Sequence, residues 1–374
     1  MMEPFPFNPA HFRFTIEGNR FIMDCPAGVY DLERVREAVA SSGSIFTCQA
    51  DPSGRFHLWG EREKDNDLHV AVQELFARIN GYPRYFEHDF STFRNSVDPL
   101  VSCIILLTRN DIFVKNHLLP SIVKNSHGHA IEITVLYNGF DCNIDPFREF
   151  NLLESDFLSV AMAYNKGVRH ARGRYIAVFH DDCMLDDNRW IEKATEALEG
   201  GAAAVTGEFE NNTAKCTPLV MERQAFLDMG GFDENYRGGG EDRDLTYTLL
   251  SQDKNIGINI IRAIHFQGIS TILVFSREAE KFRQAAAYNA LPLRVWRQLK
   301  YGYLSVALGK GIGAFIARDM LYFNKKFKSF LFTSEERYLA EEARLTAVFE
   351  QHRNSPLLQE DAATIPDILE LVRS

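Results

Sequence analysis

The stretch Tyr175-Ile176-Ala177-Val178-Phe179-His180-Asp181-Asp182 sets an apolar run directly before two adjacent carboxylates. Such a run reads as a strand buried on both faces of a parallel sheet and ending at a polar edge. Two further runs have the same texture, Val101–Leu107 (VSCIILL) and Ile131–Tyr137 (IEITVLY). Helical segments are expected between them, around Ile112–Val123 and Phe157–Ala171. After the capping cluster Asp186-Asp187-Asn188, the residues Trp190, Ala194 and Leu198 share one helical face until Gly200-Gly201 stops it. Strands alternating with helices in this way predict an open, doubly wound α/β sheet, whose ligands sit beyond the carboxyl ends of the strands.

On either side of this region the pattern changes. A chain of 374 residues suggests two or three domains. Boundaries are expected at 1–97, 98–275 and 276–374. The first unit reads as an α+β domain with the order ββαββα. Its strands are Phe12–Ile16, Phe21–Met23, Ile45–Cys48 and Phe56–Trp59, the last two joined by the turn Asp51-Pro52-Ser53-Gly54. One helix carries Leu32, Val35 and Val39 behind Asp31, and a second carries Leu68, Val72, Leu75, Phe76 and Ile79. The last unit reads as helices only. There, Thr333 and Glu336 form a capping box opening a helix through Glu350, and a short helix is expected at Ile365–Val372.

The balance of 51 acidic against 41 basic residues, a net charge of -10, speaks against a general nucleic-acid or anionic-membrane binder. Six cysteines are scattered without a CxxC pair, which predicts reduced thiols rather than a disulfide frame or a zinc knot. The start Met1-Met2-Glu3-Pro4-Phe5-Pro6 lacks the pattern of a signal peptide, and the most apolar stretch, Gly302–Leu321, is interrupted by Lys310, Arg318 and Asp319. The cytoplasm is the expected compartment. Phe is abundant, with 29 copies, and concentrates with Lys between Phe315 and Phe332. This segment has two readings, a core-facing helix or a peripheral contact with a membrane surface. Its apolar residues are spread around the helix, which favours burial.

Three constellations carry chemistry. Asp181 and Asp182 offer hard oxygen ligands suited to Mg²⁺ or Mn²⁺; alternatively they end the strand and cap the next helix. The segment Tyr236-Arg237-Gly238-Gly239-Gly240-Glu241-Asp242-Arg243-Asp244-Leu245 combines glycines with acids that open a helix running through Leu250. Glu241 or Asp242 there is either a general base at a glycine-lined pocket or charge complementing the helix dipole. His265, after the strand-like run Ile258–Ile264, is either structural or part of a metal shell.

In this order the motifs resemble those of family-2 glycosyltransferases, inverting enzymes of the GT-A fold. The family's opening strand, of the type VSVIIPTYNR, is matched by Val101 through Asn110, and its second, EIIVVDNGS, by Glu132 through Phe140. The type ARNxGxxxAxGEYILFLDDD is matched from Ala163 to Asp182. Gly230-Gly231-Phe232-Asp233-Glu234 followed by Gly240-Glu241-Asp242-Arg243-Asp244-Leu245 matches the family's acceptor-side pair, GGFDE and GEDxDL. The resemblance covers residues 99–268. It implies an α/β, GT-A-like, nucleotide-sugar-binding and mostly parallel sheet, flanked here by the N-terminal α+β domain and the C-terminal helical region.

By the same resemblance, Thr108, Arg109 and Asn138 line the nucleotide base and ribose, with Asn165 nearby. Asp181 and Asp182 take the DXD role, holding Mn²⁺ or Mg²⁺ against the diphosphate. Asp242 matches the catalytic base, with Glu241 as the neighbouring candidate, and His265 matches a histidine that contacts metal or phosphate. Tyr137 stands where the family commonly places an acid that reads the base. The register His180-Asp181-Asp182 is preferred over Asp181-Asp182-Cys183, because a hard metal favours oxygen over a thiol. His180 then faces the nucleotide or is a buried strand-end residue. The implied reaction is transfer of a sugar from a nucleotide-diphosphate sugar to a glycan or lipid-linked acceptor hydroxyl, in glycan or polysaccharide assembly. No nucleic-acid partner is expected, and a homo-oligomer stays open. Two rivals remain. A nucleotidyltransferase would carry a glycine-rich phosphate loop, which Leu107-Thr108-Arg109-Asn110 lacks. An inactive nucleotide-sugar-binding or scaffold protein would not need both acidic pairs.

Overall fold

The computed structural model describes residues 13–17, 20–25, 32–41, 46–50, 52, 56–61, 90–107, 113–137, 144–155, 160–210, 212–236, 240–265 and 312–352. Near the N-terminus, strands β1 (Arg13–Glu17), β2 (Arg20–Cys25), β3 (Phe46–Ala50) and β4 (Phe56–Glu61) form an antiparallel sheet in the order β1-β2-β4-β3, with helix α1 (Leu32–Ser41) between β2 and β3 in sequence. The helices expected around Leu68–Ile79 and Ile365–Val372 lie outside the described residues.

The central sheet takes strands from residues 101 to 258. Its strands are β5 (Val101–Leu107), β6 (Ile131–Tyr137), β7 (Asn151–Glu154), β8 (Tyr175–Phe179), β10 (Ala204–Thr206), β13 (Leu219–Glu222) and β14 (Ile256–Ile258), in the order β14-β10-β13-β8-β5-β6-β7. β5 pairs in parallel with β6 and β8, β6 with β7, and β10 with β14; β13 alone runs antiparallel, between β8 and β10. Two small antiparallel pairs sit beside it: β9 (Cys183–Leu185) with β15 (Ala263–His265), and β11 (Phe209–Glu210) with β12 (Thr213–Ala214). A π-helical stretch (Val114–Leu118) runs directly into α2 (Leu119–Asn125). Helices α3 (Val160–His170), α4 (Trp190–Glu199), α5 (Arg223–Asp228) and α6 (Glu241–Ser251) follow, then α7 (Ile312–Lys326), α8 (Lys328–Leu331) and α9 (Glu335–His352).

Every residue of β5 is buried, and the strand's period of two divides it between two cores. Val101, Cys103, Ile105 and Leu107 pack with Phe113, Leu118, Phe179 and Trp190, whereas Ile104 and Leu106 pack with Leu136, Tyr164, Ile176 and Phe226 on the other face. Burying each such aliphatic or aromatic side chain contributes about 1.5–3 kcal/mol. That explains why the central strands read as unbroken apolar runs. One charge is nevertheless built into the sheet. Glu132 on β6 accepts hydrogen bonds from the Ser102 hydroxyl (2.6 Å) and the Arg172 amide (2.6 Å), and pairs with the Arg172 guanidinium at 2.8 Å. It thereby joins β5, β6 and the turn before β8 at the end of the sheet where these parallel strands begin.

Three local expectations change. The run Ile258–Ile264 is divided between β14 and β15, so His265 lies within a strand rather than after one. Asp187 accepts from the Arg189 amide (3.1 Å) and the Lys193 ammonium (2.6 Å), but also from the Arg262 amide (3.1 Å), so it ties the start of α4 to the segment entering β15. At α9 the capping hydroxyl belongs to Ser334, which accepts from the Arg337 amide at 3.4 Å; Thr333 lies one residue too early.

Candidate active site

The carboxyl ends of β5, β6 and β8 face one edge of the sheet, as parallel pairing requires. His180, Asp181 and Asp182 leave β8 at this edge. The His180 amide donates to the Cys216 carbonyl (2.7 Å), and the Tyr164 hydroxyl donates to the Phe179 carbonyl (2.9 Å), fixing the path of the chain as the strand ends. Asp181 and Asp182 are both buried. The β9–β15 pairing then sets His265 opposite Cys183. As a result His265 Nε2 lies 3.2 Å from Asp182 Oδ1, and its Nδ1 lies 2.6 Å from Glu208 Oε2.

Electrostatics follow from that sandwich. Burial alone would lower the His265 pKa, but Asp182 and Glu208 raise it to about 10. Both carboxylates thus favour the protonated ring, whereas holding a metal ion would require the neutral imidazole, so ion binding would release a proton here. Burial opposes the charge on Asp182 as well, yet His265 and His180 hold its carboxyl below the usual range. Cys183 behaves in the opposite way. Burial and the neighbouring Asp182 and Asp181 push its thiol well above its ordinary value, and Sγ donates to the His180 carbonyl at 3.0 Å. A thiol held protonated in this way is a poor ligand.

His180, Asp182 and His265 each offer a ligand atom, all within 4.8 Å of one another. Two imidazoles and a carboxylate fit a divalent transition ion such as Mn²⁺, whereas Mg²⁺ favours oxygen alone. His180, assigned from sequence to the nucleotide side, thus joins this cluster, with its ring 5.7 Å from that of His265. Asp181 does not belong to the cluster among the described residues.

The second half of the site is the start of α6. Gly240 precedes it with φ of +109°, a backbone conformation that suits glycine. Glu241 and Asp242 are buried in the first turn. Asp242 accepts from the Arg243 amide (2.7 Å) through Oδ1 and pairs with Lys215 Nζ (3.2 Å) through Oδ2. Thr246 Oγ1 donates to the Asp242 carbonyl (2.7 Å) and accepts from the Ala214 amide (2.9 Å), pinning this turn to β12.

A single hairpin bridges the two halves. Glu208 stands just before β11 and Lys215 just after β12, and the Lys215 amide donates to the Glu208 carbonyl at 3.0 Å. Glu208 holds His265 while Lys215 holds Asp242. Tyr164 lies between the halves. Burial, then the neighbouring Cys216, Asp181 and Glu241, keep its phenol well above its usual pKa. None of Glu208, Lys215 and Tyr164 was flagged from sequence. Glu208 and Lys215 stand in an ordinary polar hairpin, and Tyr164 looks like any helical core residue.

Other sequence candidates divide. Asn165, expected near the nucleotide, is only 3 % exposed, and its amide is engaged within the protein. Nδ2 donates to the Phe232 carbonyl (2.8 Å) and the Glu234 carboxylate (2.9 Å), and Oδ1 accepts from the Phe232 amide (2.9 Å). It is a strut for the loop at Gly231-Phe232-Asp233-Glu234. Thr108, Arg109 and Asn138 lie outside the described residues, as do Arg237, Gly238 and Gly239.

Part of this region is similar to a known family. Residues 155–260 match the family described as Glycosyl transferase family 2. No curated protein matches the chain. Solved structures that resemble it include the mannosyltransferase PcManGT from Pyrobaculum calidifontis in complex with GDP-Man and Mn²⁺, at 14 % identity, covering 79 % of this chain and 94 % of that one, with a TM-score of 0.42. Another is S. aureus TarS 1-349, at 12 % identity, covering 68 % of this chain and 91 % of that one, with a TM-score of 0.38. The matched segment contains His180, Asp181, Asp182, Glu208, Lys215, Glu241 and Asp242. Residues 155–260 are thus similar to Glycosyl transferase family 2, and the chain around them folds as a mostly parallel α/β sheet.

Proposed function

We propose that the chain is a metal-dependent, inverting glycosyltransferase that moves a sugar from a nucleotide-diphosphate donor to an acceptor hydroxyl, in glycan or polysaccharide assembly. The observation that carries this reading is the pairing of two sites by one hairpin. Glu208 holds the histidine of a His/Asp/His cluster, and Lys215 holds a buried carboxylate at a helix start. A divalent ion held by His180, Asp182 and His265 would supply Lewis-acid neutralisation of the charge developing on the leaving diphosphate. Asp242 serves as the general base, taking the proton of the acceptor hydroxyl as its oxygen attacks the anomeric carbon. Lys215 and the Arg243 amide orient its two oxygens. One base and one direct displacement invert the anomeric centre. No second carboxylic acid is needed, because a nucleoside diphosphate leaves without being protonated by the protein.

Among the described residues, no helix is long and apolar enough to cross a membrane. The aromatic-basic segment is used at least partly inside the protein, with Phe323 and Phe327 buried against Tyr236 and Tyr247. A thermal-shift panel of UDP-, GDP-, dTDP- and CDP-sugars, with and without Mn²⁺, tests the reading. At least one donor should stabilise the wild type in a Mn²⁺-dependent manner. Asp182→Asn should lose that dependence, since the variant gives up the only charged ligand of the cluster. Identical midpoints with and without Mn²⁺ for every donor would overturn the metal-dependent reading.

A further inference from the structure

Helix α7 lies far outside the segment that matches the family, yet one of its faces is devoted to the acceptor-side half of the site. Arg318, Tyr322 and Lys326 are four residues apart and so share a stripe on that face. Arg318 donates to the Asn235 carbonyl at 3.1 Å. The Tyr322 hydroxyl donates to Asp233 Oδ2 (2.8 Å) and accepts from Asn235 Nδ2 (3.1 Å). Lys326 Nζ bridges two carboxylates, Asp233 Oδ2 at 2.7 Å and Asp244 Oδ2 at 2.8 Å. Asp244 is buried, and its other oxygen accepts from the Tyr236 hydroxyl at 2.9 Å. Phe323 and Phe327 seal this contact by packing edge-on or tilted against Tyr247 of α6, at 5.0 and 5.7 Å between ring centroids.

Successive residues of a helix are about 100° apart, so Asp242 and Asp244 point to roughly opposite sides of α6. Lys215 of the hairpin holds the first, and Lys326 of α7 holds the second. The first turn of α6 is thus gripped from both sides, which fixes its rotation as well as its position. The same ammonium also holds Asp233, on the chain leading into the helix, so neither flank of residues 237–239 can shift without breaking the bridge.

From this geometry we infer that Lys326, supported by Tyr322, is a positioning residue for the transfer reaction: α7 acts as a clamp that sets the carboxylate of Asp242 against the acceptor. The inference rests on the glycosyltransferase reading and on Asp242 as its base. It assigns the C-terminal helices a part in turnover rather than in donor binding, because the donor's diphosphate belongs to the other half of the site.

The test uses the full chain and donor hydrolysis, with water as the acceptor, measured as nucleoside diphosphate released from the sugar nucleotides of the same panel with Mn²⁺. Lys326→Met should lower kcat by about 10- to 100-fold, in keeping with the cost of misplacing a catalytic group by about 1 Å. Donor KM should stay within about threefold of wild type, since uniform binding is untouched. Lys326→Arg should recover most of kcat, because its fork can reach both carboxylates. A folded Lys326→Met variant with wild-type kcat would overturn the clamp, as would a loss confined to KM or an arginine variant no better than methionine. Should Lys326→Met fail to fold, Tyr322→Phe removes one hydroxyl from Asp233. It should lower kcat by about threefold or more, and an unchanged kcat would overturn the clamp equally. Wild-type protein that releases no nucleoside diphosphate from any donor defeats the parent reading. Wild-type turnover that ignores Lys326 and Tyr322 defeats the clamp alone.

Discussion

Substituting Asp242 by Asn separates the chemistry of the site from its architecture. Asn retains a carbonyl oxygen that can accept from the Arg243 amide, now at 2.7 Å, and it occupies the same volume. It gives up the ion pair to Lys215 at 3.2 Å, where the two side chains are 8 % and 22 % exposed. A pair of this burial lies between an exposed one, worth about 0–1 kcal/mol, and a fully buried one, whose breaking costs about 3–5 kcal/mol. The expected loss of stability is about 1–3 kcal/mol, small enough for a domain of ordinary stability, about 5–15 kcal/mol, to stay folded. Loss of a general base removes about 10²- to 10⁴-fold in rate, equivalent to about 2.7–5.5 kcal/mol of barrier. Turnover should therefore fall far more than stability. The assay is nucleoside diphosphate release under saturating donor, accompanied by urea melts and Mn²⁺-dependent donor thermal shifts on the same preparation. Donor shifts should match wild type. Turnover within about threefold of wild type in the folded variant, less than about 1 kcal/mol of barrier, would remove Asp242 from the role of base. In that event Glu241→Gln, the neighbouring buried acid, should show the large loss instead.

Two further outcomes follow from the fold. Glu132→Gln should cost about 1–3 kcal/mol in urea unfolding, because it replaces a buried carboxylate whose partner Arg172 is half exposed and stays solvated when the charge is lost. Burial alone would raise the Glu132 pKa, but Ser102 and Arg172 lower it, so the wild-type advantage is present above the ordinary glutamate range and shrinks as pH falls through the depressed value. A difference that grows on acidification would contradict this pairing. Gly231→Ala sets a Cβ 2.5 Å from Asn165 Oδ1 at a residue with φ of +77°. Backbone strain and a damaged Asn165 clamp should together lower stability by about 2–4 kcal/mol, and a variant with an unchanged urea midpoint would show that the loop relaxes freely.

Much of this could be read from local pattern. The bounds of β5, β6 and β8 coincide with the apolar runs, because a strand buried on both faces tolerates no polar interruption. The start of α6 was likewise legible, since glycine and acids at a helix start are a local signal. Elements held by partners distant in sequence were harder to see. His265 was read as following a long strand, whereas pairing with β9 places it inside a short one. Asn165, expected near the nucleotide, also bonds Phe232 67 residues away, and a lone polar side chain gives no local hint of that partner.

Sequence by itself determined the alternation of buried strands and helices, the carboxylates at the end of β8 and the acidic opening of α6. Each of these is written in neighbouring residues, where burial, capping and backbone freedom act over a few positions. Only the tertiary structure decided which side chains meet. It made His180 a partner of Asp182 and His265, left Asp181 out of that cluster, and recruited Glu208 and Lys215 to hold the two halves. It also turned the Phe- and Lys-rich tail toward α6, so that Phe323 and Phe327 are buried and Lys326 faces two carboxylates. Hydrogen bonds and ion pairs act over about 3 Å. Their partners are chosen by strand register and helix docking, which no single stretch of the chain encodes.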